Sequence, residues 1–259
     1  MGTQLFDLDG KVAVVTGGGR GIGVMIGRGL LRAGAKKVYL VSRKSAELRA
    51  AQEELAPLGQ VETISADLST TEGIEELAAE LASNETAVHA LFNNAGANWG
   101  ASVEQFPESG FDKVYSVNVK AVFFLTRALL PLLRAGSAPG DPARVVNTGS
   151  VDGIRPPMPG MNNFSYSASK AAVHMLTRHL AAEFAPDVLV NAIAPGLFES
   201  KMTATLLTAG AEAVGQHLPL ERIGNPDDIA GLSVFLASRA SAYITGAIIP
   251  VDGGISTLR

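Results

Sequence analysis

Short runs of buried-type residues alternate with amphipathic stretches along the whole 259-residue chain, and that rhythm admits few folds. Lys11–Thr16, Lys37–Ser42, Val61–Ser65, Val88–Phe92, Arg144–Thr148, Val188–Ala194 and Ala247–Val251 read as strands, short and rich in β-branched and aliphatic residues. Between them Gly21–Ala33, Ser45–Ala56, Thr70–Ala82, Phe111–Arg134, Phe164–Phe184 and Asp227–Ala237 carry helical spacing. Gly34 follows the first helix, Pro57 ends the second, and Thr70 or Ser69 offers the third an N-cap. Continuous apolar strands belong to a parallel sheet covered on both faces, and right-handed crossovers put helices on each side. The expectation is α/β: a doubly wound, seven-stranded parallel sheet within a single domain spanning 1–259.

Ligands of such sheets bind outside the carboxyl ends of the strands. Two long interruptions fall there, 151–163 and 195–221, and both are rich in Pro, Met, Phe and Leu. With Trp99, the side chains of Met158, Met161, Phe164, Phe198, Leu206 and Leu207 suggest substrate loops around an apolar pocket. Between the first strand and the first helix stands Thr16-Gly17-Gly18-Gly19-Arg20-Gly21-Ile22-Gly23. Gly17 permits a tight turn, Gly21 lets the backbone approach a pyrophosphate, and Gly23 permits close packing. The helix N-terminus then offers free N–H groups to phosphate, as in a Rossmann dinucleotide site.

The end of the second strand discriminates between cofactors. A carboxylate there would bind the ribose 2′-hydroxyl of NAD. This chain has Ser42-Arg43-Lys44 instead, so Arg43, with Arg20 and Ser42, is placed to bind the 2′-phosphate of NADP(H). Asp67-Leu68 and Asn94-Ala95-Gly96 follow the third and fourth strands. Asp67 can accept from the adenine amino group, and the small residues let adenosine lie against backbone.

Tyr166 and Lys170 stand four apart at the start of a helix, on one face. A nearby ammonium, joined by a nicotinamide cation, should lower the phenol from its usual pKa near 10 toward working pH. The phenol then protonates a developing alkoxide, or takes that proton back in oxidation. Lys170 would also hold the nicotinamide ribose. Ser150 ends the fifth strand, where its hydroxyl can donate to a substrate carbonyl. Asn118 lies in an otherwise apolar stretch and needs partners, either a structural backbone bond or a water-mediated relay to Lys170. Ser165, beside Tyr166, is a rival serine whose side chain leaves the helix in another direction.

Taken together, the glycine turn, Asp67, Asn93–Gly96, Asn118, Ser150, Tyr166 and Lys170 resemble the short-chain dehydrogenase/reductase family. Pro195-Gly196, Ser200 near the expected carboxamide, and Val251-Asp252-Gly253-Gly254 extend the resemblance over essentially the whole chain. It implies a catalytic tetrad of Asn118, Ser150, Tyr166 and Lys170. The spacing from Ser150 to Tyr166, sixteen positions, is longer than the family usually shows. Segments 94–100, 131–134 and 194–203 look like rhamnolipid-type 3-oxoacyl reductases, implying a β-ketoacyl thioester substrate. A polyol, sugar or steroid dehydrogenase is the enzymatic alternative, and a silent NADP-binding regulator the non-enzymatic one.

Composition narrows the partners. A net charge of −4 argues against a nucleic-acid partner. The absence of cysteine excludes disulfides and thiolate metal sites, and fits a cytoplasmic protein. No run of about 18 uninterrupted apolar residues predicts a membrane span. The scattered histidines suggest no metal site. Helix Phe111–Arg134 is apolar around more of its circumference than one sheet contact requires, Phe164–Phe184 carries small residues that let helices approach closely, and family resemblance makes a homotetramer, or a dimer, the expected assembly.

Overall fold

A computed structural model describes residues 4–157, 160–200, 203–204 and 210–257. Met158, Leu206 and Leu207, expected in the substrate loops, lie outside the described residues. Seven parallel strands form one sheet in the order β3-β2-β1-β4-β5-β6-β7. They are β1 (Val12–Thr16), β2 (Lys37–Ser42), β3 (Val61–Ser65), β4 (Ala90–Asn93), β5 (Ala143–Thr148), β6 (Val188–Pro195) and β7 (Ile248–Val251). The order reverses between β1 and β4, and the crevice this opens at their carboxyl ends is the natural binding place.

Strand side chains alternate between two cores. Ala13 and Val15 of β1 join Leu40 and Phe92 beneath α1 (Ile22–Arg32), α2 (Ser45–Leu55) and α8 (Pro226–Ala237), with Ile26, Leu30 and Ile229 fully buried. Val12 and Val14 face the other way, toward α3 (Thr71–Asn84), α5 (Ala121–Ala135) and α6 (Phe164–Phe184), where Leu77, Leu125, Leu129 and Leu180 close the layer. Each buried Leu, Ile or Phe contributes about 1.5–3 kcal/mol.

Two elements differ from the sequence expectation. The predicted helix at Phe111–Arg134 is three pieces: α4 (Glu108–Tyr115), a π-helical turn at Ser116–Lys120, then α5 with Pro131 inside it. A wide turn at Asn118 lets that polar side chain aim inward from an apolar helix. Taken as one stretch, the 28 residues Glu108–Ala135 are also long and apolar enough to cross a membrane by length and composition, although one face is buried on the sheet. The loop 195–221 also contains a short helix α7 (Ala211–Gly215), which no periodicity marked.

Candidate active site

Gly17 turns the chain at the end of β1 with φ of 64°, a conformation costly for any side chain. The turn delivers α1 with its N-terminus toward the crevice. A Cβ on Gly23 would collide with the Gly17 carbonyl oxygen, so the close packing expected of this glycine is packing of helix against turn. Among the described residues no side chain caps α1 and no acid stands in its first turn. Its first N–H groups therefore remain to be satisfied, the condition in which a helix start holds phosphate.

A cleft of about 500 Å³ runs from this point. Gly17, Arg20, Gly21, Ile22, Ser42, Arg43, Asp67, Leu68, Asn94, Ala95, Gly96, Tyr166, Lys170 and Ser200, all expected as cofactor contacts, line it. Gly23, Asn118, Ser150, Pro195 and Gly196 stand behind or beside that lining. Gly196 packs against Asp252, and its N–H donates to the Val251 carbonyl. Lys113, Ser116 and Val117 also line the cleft, although the sequence did not single them out.

At the adenosine end, Arg43 lies 3.5 Å from Asp67, while Arg20 and Lys44 both approach Glu47, at 3.3 and 3.1 Å. These pairs are largely exposed, and exposed ion pairs contribute little. A phosphate dianion can therefore compete for the arginines, whose planar fork suits it. Asp67 also accepts from the Ser69 N–H and hydroxyl. Despite partial burial, those bonds and Arg43 hold its carboxyl below the usual range.

The middle of the cleft is braced by Thr16. Its hydroxyl donates to the Phe92 carbonyl and accepts from the N–H groups of Asn94 and Ala95, both at 2.9 Å. Asn94 Nδ2 returns a bond to the Thr16 carbonyl at 3.0 Å, and its Oδ1 accepts from Thr148 at 3.3 Å. The carboxyl ends of β1, β4 and β5 are thus tied side by side.

The reacting end is built from α6, β5 and the π turn. Lys170 Nζ donates to the Thr148 carbonyl at 2.6 Å and lies 5.5 Å from the centre of the Tyr166 ring. Asn118 is 1% exposed. Its Oδ1 accepts from the Ala97 N–H at 2.8 Å, and its Nδ2 donates to the Ala97 carbonyl and to Ser169 Oγ. The structural role weighed for Asn118 is therefore visible: it fixes the 94–97 segment against α6. Ser150 begins a 3₁₀ turn (Val151–Gly153) and lies beside the Tyr166 hydroxyl. Ser165 is fully buried away from the cleft. His174, one turn beyond Lys170, is buried under Gly149 and Gly153, and burial pushes its pKa down to about 4.

Without the nicotinamide cation that the sequence expectation includes, the titration of the pair runs the other way. Burial pushes Tyr166 up to about 12, with the Ser150 hydroxyl opposing and the Asp152 charge adding. Burial likewise pushes Lys170 down to about 8. The ammonium lies over the ring, and in the protein alone desolvation is the largest effect on the phenol. Such a tyrosine is protonated at neutral pH, ready to act as an acid.

A family model described as enoyl-(acyl carrier protein) reductase matches residues 17–256. The chain is 43% identical to a rhamnolipids biosynthesis 3-oxoacyl-[acyl-carrier-protein] reductase of Pseudomonas aeruginosa, over 96% of this chain and 97% of that protein. It is 40% identical to a galactitol 2-dehydrogenase (L-tagatose-forming) of Cereibacter sphaeroides, over 96% of each. The solved Pseudomonas aeruginosa RhlG/NADP active-site complex superposes with a TM-score of 0.93 at 42% identity, covering 98% of this chain and 99% of that one.

Proposed function

The chain belongs to the short-chain dehydrogenase/reductase family, and from that membership we propose that it uses NADPH to reduce the 3-oxo group of an acyl thioester. It is an NADP-dependent oxidoreductase, and 1–259 is read as one dinucleotide-binding domain. The observation that carries the reduction is a protonated, half-buried Tyr166 at the end of a cleft whose other end offers a helix N-terminus and two arginines.

NADPH would lie with its phosphates on the α1 N-terminus, its 2′-phosphate near Arg43 and Arg20, and its ring end toward Ser200. When bound it supplies the hydride. The protein supplies the proton and the geometry. Ser150 donates a hydrogen bond to the substrate carbonyl oxygen, polarising it. Tyr166 donates its phenolic proton to the same oxygen as negative charge develops. Lys170, anchored on Thr148, offers its remaining N–H groups to the ribose and its charge to the phenolate left behind. Asn118 holds Ala97 and Ser169, so the far wall of the site does not shift.

The thioester assignment rests on likeness to the 3-oxoacyl reductase. The galactitol dehydrogenase relative favours a second reading, a polyol or keto-sugar. Following NADPH absorbance with acetoacetyl-CoA, longer 3-oxoacyl thioesters, diketones and keto-sugars separates them. A best kcat/KM on a keto-sugar would overturn the thioester reading. A homotetramer of soluble subunits is part of the proposal, supported by exposed apolar side chains on α4, α5 and α6.

A further inference from the structure

The chain between Ser150 and Tyr166 leaves the sheet and returns to start α6, and two polar side chains meet at its base. Asp152 lies in the 3₁₀ turn, and its Oδ2 accepts a hydrogen bond from Asn163 Nδ2 at 3.0 Å. Each of these residues also holds one member of the reacting pair. The Asp152 N–H donates to Ser150 Oγ at 3.1 Å. The Asn163 carbonyl accepts from the N–H groups of Tyr166 and Ser167, at 3.0 and 3.1 Å, at the N-cap position of α6. Asn163 is 5% exposed, Asp152 half-buried, and neither lines the cofactor cleft.

We propose that Asp152 and Asn163 are a positioning pair, whose side-chain hydrogen bond clips the ends of the 154–162 connection together and keeps the Ser150 hydroxyl in register with the Tyr166 phenol. The proposal rests on the reading of Ser150 and Tyr166 as the reacting groups. A connection of this length does not fix the separation of its own ends. A half-buried, charge-assisted bond across the base does so independently of the loop's conformation. The Asp152 carboxylate has a second effect, because its charge faces the phenol and disfavours phenolate. The other ionisable groups around that phenol are Lys170 on its own helix, His174 one turn on, Lys113 of α4 in the cleft wall, and Arg155 acting on Asp152.

The test uses the full chain with acetoacetyl-CoA and NADPH, and with 3-hydroxybutyryl-CoA and NADP⁺, from about pH 6 to 10. Asp152→Ala and Asn163→Ala should each lower kcat about tenfold, with NADPH binding, read by fluorescence, unchanged. The double variant should lose no more than the worse single one, because both cut the same bond. Asp152→Asn keeps an acceptor oxygen for Asn163 and should recover most of kcat. It should also move the rise of the oxidation rate to lower pH, because phenolate forms more readily without the neighbouring charge. A purely structural residue would not move that profile. Variants with wild-type kcat and an unshifted profile, or single losses that simply add, would overturn the clip. Tyr166→Phe in the same assays keeps the two failures apart. If it stays active, the reacting-group assignment is wrong. If it is inactive while the Asp152 and Asn163 variants are unaltered, only the clip is wrong.

Discussion

Burial moves the titration of both Lys170 and Tyr166 away from their ordinary values, and this has consequences for both rate and stability. Tyr166→Phe removes the transferable proton at nearly constant volume, so turnover should fall on the order of 10²–10⁴-fold. NADPH binding, followed by fluorescence titration, should persist. Lys170 is costly to bury as an ammonium, since its pKa is pushed from 10.5 down to about 8. Its contribution is therefore unfavourable below pH 8, and the penalty is relieved as pH rises from 8 to 10.5, where the unfolded chain still binds the proton that the native state has lost. Lys170→Met should raise Tm at pH 7 by a few degrees, at roughly 2–4 °C per kcal/mol for a chain of this size, despite losing the bond to Thr148. The gap should narrow toward pH 10 in a series of thermal melts; a Tm that falls at pH 7 would contradict it. Cofactor choice also belongs to single residues. NADPH should be preferred over NADH at least about tenfold, worth roughly 1.4 kcal/mol. Arg43→Asp should reverse or abolish that preference in steady-state kinetics with both cofactors.

Elements show why some of this was legible and some was not. Strand and helix periodicity predicted the sheet because β1, β2, β4, β5 and β6 face apolar helices on both sides, so nearly every position in them reports burial. The glycine turn was legible because Gly17 and Gly23 occupy places where a side chain is excluded. The π turn at Ser116–Lys120 was not, because the stretch around it is apolar on more than one face and so hides the shift in phase that turns Asn118 inward. Nor were the titration of Tyr166 and the Asp152–Asn163 bond, since both depend on what surrounds the phenol in three dimensions. Capping signals lie between these cases. Asn225 caps α8, accepting from the N–H groups of Asp227 and Asp228 while the Asp228 carboxylate accepts from the Asn225 N–H. Asn225→Ala should cost about 1 kcal/mol and lower Tm without changing kcat, because α8 lies beyond the reacting end. A loss of activity at full occupancy of substrate would show that α8 does more than support α1.

For the whole molecule, the outstanding question is what covers α4, α5 and α6 on their outer side. Phe111, Phe123, Phe164 and Met175 are between 38% and 53% exposed there. Phe106 meets Phe111 and Phe164 edge-on at 6.2 and 5.9 Å, and Phe111 stacks on Tyr115 at 5.0 Å. Single exposed apolar residues are ordinary, but a contiguous ring cluster marks a surface that meets something. The sequence left open that loop 195–221 folds over this face. Its described residues instead lie near α1 and β7, with Ser200 beside Gly21 and Leu220 beside Gly253, and the aromatic side chains stay exposed. The stretch from α4 through α5 carries the hydropathy that would suit a membrane. It also carries Asp112, Lys113, Lys120 and Arg127 among those apolar residues, which a bilayer core would tolerate poorly and a second subunit would not. A symmetric copy is the economical cover, and the proposed tetramer follows. Light scattering coupled to size exclusion at micromolar concentration should give a particle about four times the 26.8 kDa chain. Phe123→Glu with Met175→Glu should split it, because each places a charge where an apolar contact is required. A wild-type chain that runs as a clean 26.8 kDa monomer without detergent would refute the assembly, and a particle that forms only with detergent would return the helix to the membrane.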